Sequence, residues 1–511
     1  MWGSKKSGLN KKRSYTPPSK IIIKKEAHKK MNSKAIINII QSSKNFKEIE
    51  EKIFVYAMKK AREICKKVLE LMDDRLMEER DKEELEVHEK RSRCLDTLIG
   101  PIEFERRYYK KAEGGYTHLL DDFLGIPTNA RVSPAIKAKA LKGIKDLTYR
   151  KTADMIEQML DIPISHNAIH DWVQEIGKKI RQEKEQETEH FYATGEMPEK
   201  KQQAIKAEHL FLEADGVFIN IQGEEEKSST ELKIALSYLG WEERRKFSGE
   251  YEVKSKKVFG GVVDSDELWR QSSVGLLKNY ELEENEVTIL SGDAASWIDK
   301  AHYYLPYLTC RVLDDYHLQL KITKCLGRSS FTPKLKKALI DHDKEKVIEI
   351  LDKAESYRKK DKDKKKVDQL RKYILDNWEK IKDFRDRGYC LPDDTRGMGV
   401  VESNIDKILA NRFKKLGISW SVAGAENLAS IIIADRNGEL DEMITKEVDW
   451  EINQEKLTAE TEGYITVKET AAKKDNQYFY NTIMPVFEGP AAGKCWVKSL
   501  KSIASQAVGV L

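Results

Sequence analysis

The chain has 511 residues, more than one hydrophobic core can serve, so about two to four domains are expected. Charged residues make up 35%, with Lys+Arg at 91 and Asp+Glu at 86, so where the charge sits matters more than the net +5. Six cysteines stand far apart with no C-x-x-C pair, which argues against a zinc ribbon or disulfide scaffold, and no apolar run nears the roughly 20 residues of a membrane span.

The first thirty residues hold ten Lys or Arg and one acid, Glu26. This basic arm (1–32) reads as disordered, either lying on nucleic acid or simply solubilising. No apolar segment of signal-peptide length follows it, which points to a soluble protein of a reducing compartment. The abundance of Lys, Ile, Glu and Asn suggests a bacterial, A+T-rich source. From 33 to 90 the pattern is helical. Ile49, Ile53, Tyr56, Ile64, Val68, Leu71 and Met72 recur at steps of three and four, one apolar stripe that should pack within the chain or on a second copy. In the region 91–130, "CLDTLIGPIEFERRYYK" reads as a β-hairpin about Gly100-Pro101, with Ile102, Phe104 and Tyr108 alternating with polar residues. Arg106 and Arg107 beside Tyr108 are candidate phosphate contacts, with a solvated rim as the plainer alternative.

Within 131–190, Ala153, Ile156 and Leu160 share a helix face that ends before Pro163. Ser165 is a good N-cap, and Ile164 and Ile169 fit a hydrophobic staple. The next helix should bury Ile169, Trp172, Val173 and Ile176. Its early turns carry His166, Asn167, His170 and Gln174. That arrangement fits a helix-turn-helix reading a DNA major groove; an ordinary αα-hairpin is the alternative.

After a charged linker, residues 205–435 turn α/β. "HLFLEADGVFINIQ", "ELKIALSYLGW" and "KKVFGGVV" read as three strands, followed by a helix, the buried strand "EVTILSGD", a helix in "AASWIDKAHYYL", and "TCRVLDDYHLQL" as a strand running into another. That is the order of a ribonuclease-H-like core, although other α/β folds share parts of it. A Lys-rich helical insertion, about 321–389, has too few apolar residues for a core of its own and should lie exposed, solvated or against DNA. Residues 436–511 read as a small mixed appendage.

Three acids stand out. Asp215 ends the first core strand, Asp293 ends "VTILSGD", and Glu402 heads the stripe of Ile405, Leu409 and Phe413 on its helix. Singly, they read as a hairpin turn, a helix cap and a first-turn acid. Jointly they read differently, because the first and fourth strands of such a sheet lie side by side. Three converging carboxylates repel unless divalent cations bridge them, and Mg²⁺ prefers such hard oxygens. Two ions about 3.5–4 Å apart suit phosphodiester chemistry.

"EADGVFI", "LSGDAASWI", "LDDYHLQLK", "GVVESNIDKILANRFKKLGISWSVAGAENL" and the upstream "GPIEFERRYYK" resemble bacterial insertion-sequence transposases of the Lre type, similar to the Mutator-like group of DDE transposases. The likeness covers about Arg91 to Asp435. It implies that Asp215, Asp293 and Glu402 form a metal-binding catalytic triad with two Mg²⁺ (or Mn²⁺) ions. It also implies an Asp-x-x-His element on the last core strand, Asp314 and His317, with Asp315 as an alternative partner. His317 would position a phosphate or shuttle a proton; a structural histidine is the alternative. Arg412 and Lys414 match positions suited to holding DNA or packing the core.

The resulting expectation is a multidomain α+β protein: a helical N-terminal region with a helix-turn-helix, and a ribonuclease-H-like α/β catalytic core interrupted by an all-helical insertion. Its function would be binding terminal inverted repeats in double-stranded DNA, then cutting and joining strands as a homo-oligomer, in the bacterial cytoplasm with no membrane partner. A silent transposase-derived DNA-binding regulator and a nuclease of the same fold are the alternatives.

Overall fold

Asn45 divides the N-terminal helical run. Its backbone is extended and its side chain accepts the Glu48 N–H, so α1 (Lys29–Ser42) stops and α2 (Phe46–Glu79) begins afresh. The computed structural model describes residues 29–199, 204–223, 228–282, 287–401, 409–414 and 417–452, which form a mixed α+β chain; the basic arm, Glu402 and most of the C-terminal appendage lie outside them. Among the described residues, no helix is long and apolar enough to cross a membrane.

The face of α2 that packs inward carries Cys65, Leu69, Met72 and Leu76, against the hairpin of β1 (Leu85–Thr97) and β2 (Gly100–Lys111). Of the stripe expected to pack, Ile53, Ile64, Val68 and Leu71 are instead exposed. Arg107 of β2 reaches Asp73 and Asp74, and this ion pair fixes the rotation of α2. A short β3 (Tyr116–Thr117) and α3 (Leu119–Phe123) complete the unit.

Next come α4 (Pro134–Gly143), α5 (Tyr149–Leu160) and α6 (His166–Thr194). Asp161 adopts the left-handed conformation that ends α5, and the Ser165 side chain accepts the Ala168 N–H to start α6, as the sequence requires. α6 then runs on to Gly195, absorbing the charged linker. Its buried residues Ile169, Val173, Ile176 and Ile180 join the same core as the following sheet, so the two regions share one hydrophobic body.

The strands are β4 (Ile205–Lys206), β5 (His209–Asn220), β6 (Ser229–Tyr238), β7 (Trp241–Glu243), β8 (Tyr251–Val253), β9 (Lys257–Gly261), β10 (Tyr280–Glu281), β11 (Val287–Gly292) and β12 (Cys310–Leu313). Five make the main sheet, in the order β12-β11-β5-β6-β9. β6 is antiparallel to both β5 and β9, while β11 is parallel to both β5 and β12. β5 does not turn at Asp215-Gly216: pairing with β6 continues unbroken to Asn220.

One face of the sheet is covered by α7 (Ser265–Asn279), α8 (Ser296–Asp299) and α9 (Ala301–Tyr304), which pack on Leu210, Leu212, Ala214 and Leu290. α10 (Asp315–Leu326) replaces the expected second strand after β12, because Asp314 caps it by accepting the His317 N–H. With α11 (Phe331–Ile340), α12 (Lys344–Ser356), α13 (Asp361–Asp376) and α14 (Trp378–Ile381) it forms the insertion. Contrary to expectation, the insertion has its own core: Ile322, Leu335, Val347, Leu351, Val367, Ile374 and Trp378 meet at its centre. Its apolar residues are few but spaced so that each helix spends them on one face. α15 (Val422–Arg436) and α16 (Leu440–Val448) return to the other face of the main sheet.

Candidate functional site

Along β5, Leu210, Leu212 and Ala214 belong to one face, and Phe211, Val217 and Ile219 to the other. Glu213 and Asp215 therefore share the second face with Val401, Leu409 and Phe413. Glu213 is fully buried. Its carboxylate accepts the Tyr238 hydroxyl at 2.6 Å and the backbone N–H groups of Gly399 (3.1 Å), Val400 (3.1 Å) and Val401 (2.8 Å). Three successive backbone donors form a compact anion cradle, so the carboxylate stays satisfied without water. Nothing in the sequence separates Glu213 from Asp215, since each is an acid inside the same apolar run. The same segment is tied again at its far end, where Trp420 exchanges backbone hydrogen bonds with Asn220 and Gln222. Glu402 lies outside the described residues, one peptide beyond Val401.

Asp215 and Asp293 come together through register. Ala214 and Gly292 are the last paired positions of the parallel β5–β11 ladder, and the two aspartates follow them directly. Gly292 permits this approach: a Cβ there would lie 2.6 Å from the Ala214 carbonyl oxygen. The Asp293 carboxylate accepts the Ala295 N–H at 2.8 Å, and Arg311 donates to the carbonyls of Gly292, Val312 and Asp293 while pairing with Asp299 at 3.2 Å. Burial lowers the Arg311 pKa. Arg311 is thus a clamp on the turn that carries Asp293.

Asp314 stands at the end of the neighbouring strand, its N–H bonded to the Gly292 carbonyl at 2.7 Å. Its buried carboxylate accepts His317 Nδ1 at 2.6 Å. The His317 pKa is raised, first by this hydrogen bond and then by the charges of Asp215, Asp314 and Asp293, against the opposing effect of burial. His317 therefore senses acids carried by three adjacent strands or the turns that follow them. Tyr373 of α13 senses two of them: burial, then Asp293 and Asp314, push its pKa up to about 12.

No group of three His, Cys, Asp or Glu side chains among the described residues could hold a metal ion by itself. Two neighbouring aspartates are nonetheless a donor set that suits Mg²⁺, which commonly takes one or two carboxylates and completes its shell with waters and substrate phosphates. Beyond its hydrogen bond to Asp314, His317 also feels the charges of Asp215, Asp314 and Asp293, the negative charge that a divalent cation would neutralise. The residues present fit such an ion.

The other candidates divide. His166, Asn167 and His170 are exposed at the start of α6. Lys414 is exposed, and Asp315 accepts from Gln319 on the outer side of α10. Gln174, Arg106, Arg107 and Arg412 are occupied within the fold. Gln174 accepts from Asn427 at 2.8 Å where Gly177 lets α6 and α15 cross closely. Arg106 is buried on Asp121, with Nε 2.8 and 2.9 Å from its two oxygens, and Arg107 bridges Asp73 and Asp74. Arg412 is buried, donates to the Ile144 carbonyl at 3.0 Å and lies near the Tyr149 and Trp420 rings. Arg106 and Arg107 are paired with internal acids, while Gln174 Nε2 and both Arg412 Nη atoms are buried without a hydrogen-bond partner among the described residues, so none offers a phosphate an open donor surface.

The model of UPF0236, described as an uncharacterised protein family, matches residues 39–454. A UPF0236 protein of Caldanaerobacter subterraneus, whose name joins eleven locus designations, is 27% identical over 78% of this chain and 80% of its own. A second from that organism, named for four loci, is 26% identical over 78% of this chain and 80% of its own. A UPF0236 protein of Streptococcus gallolyticus, named for the vanSb 3′ region, is 26% identical over 78% of this chain and 85% of its own. The chain belongs to the UPF0236 family.

Proposed function

We propose that this UPF0236 member is a metal-dependent DDE transposase of an insertion sequence, similar to the Mutator-like group, with a ribonuclease-H-like core and a helix-turn-helix formed by α5 and α6. The observation that carries the reading is the meeting of Asp215 and Asp293 just past the end of the parallel β5–β11 ladder, with Asp314 and His317 after the next strand. The strand order β12-β11-β5-β6-β9, with one antiparallel half, supports the core assignment. Exposed His166, Asn167 and His170 on the first turns of α6 support groove reading. Relatives whose single names cover eleven and four loci of one organism support a gene that is copied within its genome.

Asp215 and Asp293, with Glu402, would hold Mg²⁺ or Mn²⁺, which when bound polarises a phosphodiester and makes a water or 3′-hydroxyl more nucleophilic. His317 has Nδ1 committed to Asp314, so its Nε2 is the nitrogen able to donate to a phosphate oxygen. Its raised pKa favours the protonated, donating form. Glu213 holds the segment leading to Glu402 against the strand carrying Asp215. Two element ends must be joined, which favours a homo-oligomer assembled on DNA.

The test incubates the purified protein with a DNA fragment bearing the end of its own element, in Mg²⁺ or Mn²⁺, beside Asp215→Asn. Cleavage by the parent and none by the variant is expected. Equal cleavage by both removes the assignment, and binding without cleavage by the parent favours a silent DNA-binding regulator.

A further inference from the structure

α10 runs outward from the carboxylates, and Asp314, His317, Lys321 and Lys324 follow one another at steps of three, four and three along one face. Opposite, α13 brings Lys366, Gln369 and Tyr373. Between them lies a groove of about 290 Å³ lined by these lysines, Cys325, Gln369 and Tyr373. Its inner end is fixed by Tyr373, on which Asp293 and Asp314 both act. The Tyr373 hydroxyl is buried and has no hydrogen-bond partner among the described residues.

The charge in this groove is not neutralised. Lys321 and Lys324 make no ion pair among the described residues, and Lys321 rests its ammonium 4.4 Å from the Tyr373 ring centre. Lys366 pairs only with Asp363, an exposed residue of its own helix. Like charges gathered on both walls of one channel repel each other, and an extended polyanion relieves that repulsion. From His317 to Lys324 the helix rises about 10 Å, a length over which one DNA strand presents about three phosphates.

We propose that the α10–α13 groove is a phosphodiester-backbone site, in which Lys321, Lys324 and Lys366 contact the phosphates of the DNA strand leading away from the Asp215–Asp293 centre. Which part of the strand lies there rests on the function proposed above; the backbone contact does not. Tyr373, with Lys321 over its ring, closes the inner end of the groove.

The test uses the full chain, without added metal, and a fluorescent duplex of arbitrary sequence. Binding is measured over a salt series for the parent, for Lys321→Gln with Lys324→Gln, and for Lys344→Gln with Lys346→Gln, which removes equal charge from exposed positions on α12. The groove variant should lose about two from the slope of log affinity against log salt, at about 0.9 per phosphate contact; the α12 variant should keep the parent's slope. Acetylation of native lysines with and without the duplex supplies a readout that needs no variant: Lys321 and Lys324 should be protected. An unchanged slope in the groove variant, an equal change in both, or no protection overturns the site. A changed slope beside an Asp215→Asn protein that cuts like its parent would leave the groove standing and remove the catalytic reading. The reverse pair of results would remove the groove alone.

Discussion

In the hairpin, Arg93 and Arg106 converge on one buried carboxylate, Asp121, and Arg107 spans Asp73 and Asp74. In the insertion, Lys321 and Lys324 face a groove whose lining residues include no acid. Both stretches look basic in sequence, yet Arg93, Arg106 and Arg107 spend their charge on acids inside the fold, whereas Lys321 and Lys324 do not. The guanidinium's planar fork suits a buried carboxylate, whereas an ammonium on a flexible stem stays solvated at a rim. Local net charge thus becomes a guide to partners only after the acids brought in from elsewhere in the fold are subtracted.

The sharpest break of that contrast is Asp121→Asn. It leaves Arg93 and Arg106, both under 10% exposed, without their counter-charge. A loss of about 3–5 kcal/mol is expected, as for other buried pairs stripped of one partner. The denaturant midpoint measures it. A loss under about 1 kcal/mol would mean that these arginines behave as surface charges after all.

Glu213→Gln extends the same rule to the sheet. The amide keeps the shape but puts an NH₂ among four donors, so about 2 kcal/mol should be lost. Tyr238 is the secondary readout: its pKa stands well above the ordinary phenol value, through burial and then the Glu213 charge, and it should fall in the variant. If Glu213 positions the segment before Glu402, the variant should also need more Mg²⁺ for half-maximal cleavage while its salt-dependent DNA binding stays unchanged. Unaltered metal dependence would leave Glu213 a purely structural latch.

These cases show what the sequence could express. Caps and breakers are local, so Pro163 and Ser165 mark the α5–α6 junction plainly. Buried strands are nearly local: "VTILSG", with no charged residue, is wholly buried in β11. Pairings between distant segments were not legible. Nothing near Arg106 announces Asp121 as a buried partner, and nothing near Glu213 announces Gly399–Val401. The resemblance implies a strand for the Asp-x-x-His stretch, whereas the capping power of Asp314 decides for a helix. The insertion looked coreless because its apolar residues are diluted by lysine, and only helix geometry collects them.

A smaller effect should appear with pH. The folded His317 pKa lies above its ordinary value of 6.5, held up by Asp314 on its own helix start, Asp215 on β5 and Asp293 after β11. Its contribution to stability is therefore complete below that ordinary value and is lost as pH rises through the folded one. In EDTA, the parent should lose stability across that window, and His317→Gln should lose less. Parallel pH curves for the two proteins would show that the carboxylates do not act on this ring.

The smallest change belongs to the lysines. Removing Lys321 and Lys324 by Gln breaks no ion pair among the described residues, forfeits a cation–π contact worth about 0.5–1 kcal/mol, and relieves repulsion with Lys366. The two effects oppose, so stability should stay within about 0.5 kcal/mol of the parent, as for surface changes in general. Thermal melts at low salt read this directly, because repulsion is then least screened. A drop comparable to that of Asp121→Asn would make these lysines internal supports like the hairpin arginines. The distinction between charge spent on the fold and charge left for DNA would then vanish.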